Sequence, residues 1–330
     1  MGRPSLATRP QSGPGRGRTW RQYWLRDPLV GLAEHALFHA LRILPLDLAS
    51  AIGARAGRFR GRRLAELNRR ASLALPAVAP RLAADDDARR ALLARLRANA
   101  GRALVEALNT DRLCRDERIL LMNHDVLARI LASGRPLIFV SVHTANLGHL
   151  LGAALLQRVP YRAATTTRPL PNRYSERLSR RIRAGMDVEV VHAGMAAART
   201  LLRHLGRPRR SLLLHLDEAR GRQVRFPVFG AAPPSHGNLR LALRLARLTG
   251  ALLVPAHLSR RRAGAHFFLH LAAPLDLSDP ACAMDDAQAA RRLDEHFSAV
   301  VRRHLDDWQQ LYFAHAGEAR PGGPDAAAGR

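Results

Sequence analysis

His143 ends the apolar run Pro136-Leu-Ile-Phe-Val-Ser-Val142 and opens the segment His143-Thr-Ala-Asn-Leu-Gly-His149. An imidazole titrates near neutral pH, so it can take a proton from an attacking hydroxyl. Such a base works best when a second group holds its tautomer and steadies the imidazolium that forms. Three groups could do so. Asp217, with Glu218 beside it, ends the run Ser211-Leu-Leu-Leu-His-Leu-Asp217; Asn146 lies in the His143 segment; His149 could act through water. Asp217 ranks first and Asn146 second. Each has a plainer use as well: Asn146 as a helix cap, Asp217 as the partner of an arginine, and His149 as packing on a helix. Arg168, Arg240 and Arg244 are candidates for contacts with phosphate groups, since guanidinium forks match phosphate oxygens, and a solvated surface is the commoner place for any single one.

The elements that must position these groups read as α/β. The run before His143 is rich in β-branched and aromatic residues, lacks polar alternation and follows the turn-like Ser133-Gly134-Arg135-Pro136. A strand buried on both faces has this composition, and parallel α/β sheets bind ligands where such strands end. Short apolar runs then alternate with helical stretches. Strands are expected at 136–142, 162–167, 188–192, 211–217, 251–258 and 266–271; helices at 147–157, 173–184, 195–205, 238–248 (closed by Gly250) and 286–305. Residues 27–113 carry Leu, Ala and Arg at helical spacings, broken at Pro45 and again at Pro76 to Pro80. The expected fold is α/β, a mostly parallel central sheet flanked by helices with a helical N-terminal extension. Four stretches follow: a basic arm over 1–19, a helical, membrane-associating region over 20–113, the α/β domain over 114–316 and a tail over 317–330.

Composition narrows the chemistry. The 330 residues carry a net charge of +26, and all 53 basic residues are arginine. Without lysine, Schiff-base chemistry and a P-loop lysine are excluded. The charge should draw the chain to anionic lipid, acidic carrier proteins or nucleic acid. Nucleic acid is not expected, because no arginine-rich run is interleaved with aromatics. Cys114 and Cys282 lie far apart with no zinc-like spacing around them, which argues against a disulfide framework or a structural metal. The first residues lack an apolar signal core. Between Trp20 and Phe59, charges interrupt any membrane-spanning run, while Trp20, Tyr23, Trp24, Leu29 and Leu32 beside arginines suit a helix lying in a membrane interface or one covering the sheet.

The His143 segment resembles the His-x4-Asp/Glu signature of bacterial acyltransferases, in the His-x-Gly-Asn-Trp-Glu form of the late acyltransferases of lipid A biosynthesis. His143 and Asn146 fit; Ala145 replaces Gly, Leu147 replaces Trp, and Gly148 stands where the family has its carboxylate. The resemblance spans roughly residues 40 to 315. Leu44-Pro45 to Gly57, Asn68, Pro76 and Ala103-Leu-Val-Glu106 resemble the family's N-terminal part. Arg168 to Asn172 with the arginines up to Arg183, Leu212 to Asp217, Phe226-Pro-Val-Phe-Gly230, Pro233, Gly237 to Ala251 and Asp306-Asp-Trp308 resemble its later elements. The resemblance implies transfer of a fatty acyl group, from an acyl-carrier protein or coenzyme A thioester, to a hydroxyl of a lipid or glycolipid acceptor. It also implies a peripheral position on the cytoplasmic face of the inner membrane, no metal or bound cofactor, and His143 as general base. With Gly148 in the usual place of the acid, another group must orient the imidazole, or the chain is a binding relative of such enzymes.

Overall fold

The computed structural model describes residues 19–62, 65–145, 149–167, 169–184, 186, 188–192, 195–220, 223–261, 264–278 and 284–314. The expected basic arm up to residue 18, the C-terminal tail, Asn146, Leu147, Gly148, Arg168 and Cys282 lie outside them. After a π-helical turn at Gln22–Arg26 come six helices, α1 (Asp27–Ile43), α2 (Leu46–Arg62), α3 (Ala65–Val78), α4 (Pro80–Ala84), α5 (Asp86–Ala107) and α6 (Thr110–Arg115). Pro45 separates α1 from α2, as expected of a residue that cannot continue a helix. Pro76 is different: it lies inside the last turn of α3, which runs on to Val78, and the break falls at Ala79, with Pro80 opening α4. Asp85 caps α5 by accepting from the backbone N–H groups of Asp87 and Ala88.

The remainder alternates strands and helices: β1 (Ile119–Leu121), α7 (His124–Ala132), β2 (Leu137–Ser141), α8 (His149–Leu156), β3 (Arg162–Thr167), α9 (Arg173–Ala184), β4 (Val188–His192), α10 (Met195–Leu205) and β5 (Arg210–His215). A small hairpin, β6 (Ala219–Arg220) and β7 (Gln223–Val224), precedes α11 (Asn238–Thr249), β8 (Leu252–Arg260), β9 (Phe267–Leu271) and α12 (Asp286–Arg303). Gly250 in the left-handed region ends α11, and Asp285 with Gln288 forms a capping box at the start of α12.

Seven strands form one sheet in the order β1-β9-β8-β2-β5-β3-β4. Every pairing is parallel except β8 with β9. Alternation divides the two faces. On one side Ile138, Val140, Leu212 and Leu214 pack with Leu243, Phe297 and Trp308; on the other Leu137, Phe139 and Leu213 pack with Ile130, Leu150 and Leu155. Helices cover both faces, which is why the central strands read as unbroken apolar runs.

Two of the N-terminal helices, α2 and α5, pack on each other through glycines. A Cβ on Gly101 of α5 would overlap the carbonyl oxygen of Gly53 in α2, and one on Gly57 would meet the backbone of Arg97, so the two helices touch backbone to backbone. No helix among the described residues is long and apolar enough to cross a membrane. Trp20, Leu25, Leu29, Leu32 and Leu37 are nonetheless exposed at the start of the chain.

Candidate active site

The register of two neighbouring strands builds the site. In the parallel pair β2 and β5, Ser141 stands opposite His215, and the Leu216 N–H donates to the Ser141 carbonyl at 2.7 Å, carrying the ladder one step further. Two residues beyond each strand's last paired position come His143 and Asp217. They meet although they are 74 residues apart in sequence.

Asp217 is fully buried and accepts three hydrogen bonds. His143 Nδ1 lies 2.7 Å from Oδ1, the His143 backbone N–H donates to Oδ2 at 2.8 Å, and the indole Nε1–H of Trp308 donates to Oδ2 at 3.0 Å. Burial alone would push the Asp217 carboxyl up, but the adjacent His143 overcomes it and holds the group below the usual carboxylate range. Burial likewise works against the imidazolium of His143; the charge of Asp217 and the hydrogen bond outweigh it, and His143 titrates above an ordinary histidine. With an ionised carboxylate as acceptor, Nδ1 carries the ring proton and Nε2 keeps its lone pair. The side chain of His143 remains 21% exposed, so the base is reachable.

The loop after the base is pinned. Thr144 Oγ1 donates to the Leu258 carbonyl at 2.8 Å, the Ala145 N–H to the Asp307 carbonyl at 3.3 Å, and Arg260 Nη2 to the Ala145 carbonyl at 3.1 Å. Ala145 has φ +60°, an unusual conformation for a residue with a Cβ. Arg260 is itself gripped by Glu106 of α5 through two bonds of 2.6 and 2.8 Å, and Glu106 accepts a further bond from Ser50 of α2. A buried ion pair therefore ties the N-terminal helices to the loop that carries the base. Burial pushes Asp307, next to this pair, up to about 6.

A cavity of about 150 Å³ opens beside His143. Phe139, Leu155, Leu156, Val159 and Leu213 give it an apolar wall, and Thr165, Thr167, Arg183 and His215 are among its polar lining. Arg183 pairs with Glu176 at 3.4 Å. The ring of His215 stacks on that of His143 with centroids 4.1 Å apart. His143, His215 and Asp217 bring donor atoms within 4.8 Å of one another. Asp217 Oδ1 takes up the His143 Nδ1 edge, while Oδ2 is shared by the His143 backbone N–H and the Trp308 indole.

Of the candidates read from sequence, the structure joins His143 to Asp217. Glu218 is otherwise engaged, accepting from the Asn238 N–H at the start of α11. Arg240 and Arg244 lie exposed on α11 and do not line the cavity; Arg240 pairs with Asp286 at 2.6 Å. Asn146 and Arg168 fall outside the described residues. Sequence reasoning passed over His215 as a site residue, although its place two residues before Asp217 puts it on the same face of the strand.

An α/β sheet that ends in a carboxylate-held imidazole beside an apolar cavity is an architecture for base-assisted chemistry on a substrate with a hydrophobic part. The family model for bacterial lipid A biosynthesis acyltransferases matches residues 22–312, and the chain belongs to that family. No curated protein matches it in sequence. Among solved structures, the crystal structure of the 1-acyl-sn-glycerophosphate (LPA) acyltransferase PlsC from Thermotoga maritima is similar over 84% of this chain and 97% of that one, at 12% identity and a TM-score of 0.37.

Proposed function

We propose that the chain transfers a fatty acyl group from an acyl-carrier protein or coenzyme A thioester to a hydroxyl of a lipid or glycolipid of the lipid A type. His143 is the base and Asp217 its orienting acid, in place of a carboxylate at position 148. The observation that carries this reading is the 2.7 Å bond between His143 Nδ1 and Asp217, made at the edge of an apolar cavity.

In this reaction His143 Nε2 takes the proton of the acceptor hydroxyl as its oxygen attacks the thioester carbonyl. The tetrahedral intermediate collapses, the C–S bond breaks, and the imidazolium gives its proton to the leaving thiolate. An ester and a free thiol result. The apolar cavity is the proposed berth of the acyl chain. Exposed tryptophans and leucines at the start of the chain, together with its positive charge, support a peripheral place on the cytoplasmic face of the inner membrane.

The test is acyl transfer by the purified protein, with both thioester donors offered alongside lysolipid and lipid A precursor acceptors, in wild type and His143→Ala. Transfer that His143→Ala abolishes is the expected result. Wild type that binds a donor or lipid yet transfers nothing would overturn the reading and leave a binding protein.

A further inference from the structure

We infer that His215 is a positioning residue for His143, holding the base through its stacked ring and stabilising the imidazolium that forms in the proposed transfer. The inference rests on that reaction. His215 is the last residue of β5, opposite Ser141 of β2, and its backbone carbonyl accepts from Asn238 Nδ2 at 2.8 Å, which fixes the strand end that carries it. Its ring lies on that of His143 with centroids 4.1 Å apart and planes 26° from parallel.

This contact does something that Asp217 cannot. The carboxylate holds one edge of the His143 imidazole through Nδ1. A ring bound at one edge still has freedom to tip about that bond. A second ring against its face removes the tipping, so that Nε2 keeps one direction relative to the cavity that both histidines line. Charge enters next. When His143 takes up a proton, the π face of a neutral neighbour attracts it, as aromatic faces attract cations. A protonated neighbour would repel it. Among the described residues, the charged groups around the pair are Asp217, which follows β5 and acts on both His143 and His215, and Arg183 of α9, which lines the same cavity and is paired with Glu176. Neither lies between the two rings.

Nuclear magnetic resonance of histidine-labelled protein reads the titration of His143 without any turnover. Three variants separate the properties of the neighbour: His215→Leu keeps bulk and removes the π face, His215→Phe keeps a face with no proton, and His215→Asn serves as a second face-free variant should the Leu protein not fold. In the face-free variants the His143 midpoint is expected to fall by roughly half to one pH unit, and in His215→Phe to stay near wild type. The kcat of the face-free variants should drop roughly 3- to 10-fold with KM unchanged, and Phe should restore most of it. A midpoint that stays put or rises in the face-free variants would overturn the inference. An inactive wild type would sink the transferase reading instead, and the titration would still decide the role of His215.

Discussion

Asp217 accepts three hydrogen bonds inside the protein, two from His143 and one from Trp308, so the acid and the indole can each be tested by substitution. Asp217→Asn is expected to lower turnover about 10^3- to 10^4-fold, as loss of an orienting acid does elsewhere, in a protein that still folds. Its pH profile should shift as well. The proposed base is competent when neutral, so kcat/KM rises with pH through the His143 midpoint; Asp217 holds that midpoint above the ordinary value of about 6.5, and the Asn variant should move the acid limb down. The linkage to stability has the opposite sense for the two partners. Asp217, depressed in the fold, contributes stability that is present above its unfolded value of about 3.9 and lost as pH falls through the folded value. His143, raised in the fold, contributes below about pH 6.5 and loses its share as pH climbs through the folded value. Trp308→Phe deletes one donor to a buried charge and also leaves space where the larger indole packed. It should cost about 1.5–3 kcal/mol in denaturant unfolding and reduce kcat, and an unchanged unfolding midpoint would argue against the indole bond.

At the scale of elements, the meeting of α2 and α5 makes a sharp case. Gly101→Ala places a methyl group against the backbone of α2, so the helices must separate; we expect about 1–3 kcal/mol of destabilisation by thermal or denaturant melting. The buried Arg260–Glu106 pair lies close by. Arg260→Met strands the Glu106 carboxylate and should cost about 3–5 kcal/mol, while also loosening the loop that Arg260 holds at Ala145.

The same scale shows what sequence could and could not tell. Strands β2 and β5 are plain in sequence as unbroken apolar runs, β3 and β4 are weaker signals of the same kind, and the sheet keeps all four parallel. The helices between them show helical periodicity, and Gly250 marks the end of α11. β1 was missed: three residues, Ile119–Leu121, are too few to show a pattern, and they form a strand because β9 lies beside them. The antiparallel turn of β9 against β8 is a matter of chain direction that apolar runs do not encode. Within the site, the His143 segment declared a base but not its partner, since Gly148 offers no side chain. Asp217 could be ranked first as a strand-end acid; its register with β2 was decided by pairing across the sheet. Trp308 as a donor to that acid had no local signal at all, because its partner is 91 residues away. Nor did helical periodicity tell whether Arg240 and Arg244 face a ligand: one is spent on Asp286 and both are exposed.

For the whole molecule, a net charge of +26 and exposed aromatics at one end suggest a two-part attachment to lipid, electrostatic and hydrophobic. Flotation with anionic vesicles should show binding that weakens as salt rises towards about 1 M, where the Debye length is about 3 Å. Trp20→Ala with Trp24→Ala should weaken binding further without altering the response to salt. Binding to uncharged vesicles as strong as to anionic ones would contradict the electrostatic part.

The pairing of His143 with Asp217 across two strands also bears on what happens when the chain is cut. The exposed turn Gly206-Arg207-Pro208-Arg209 lies between them, just before β5. Cleavage there leaves one fragment with the imidazole and another with the acid. Neither fragment can house a working pair by itself, so activity would return only when the two reassociate along the β2–β5 seam, making restored turnover a direct gauge of fragment complementation.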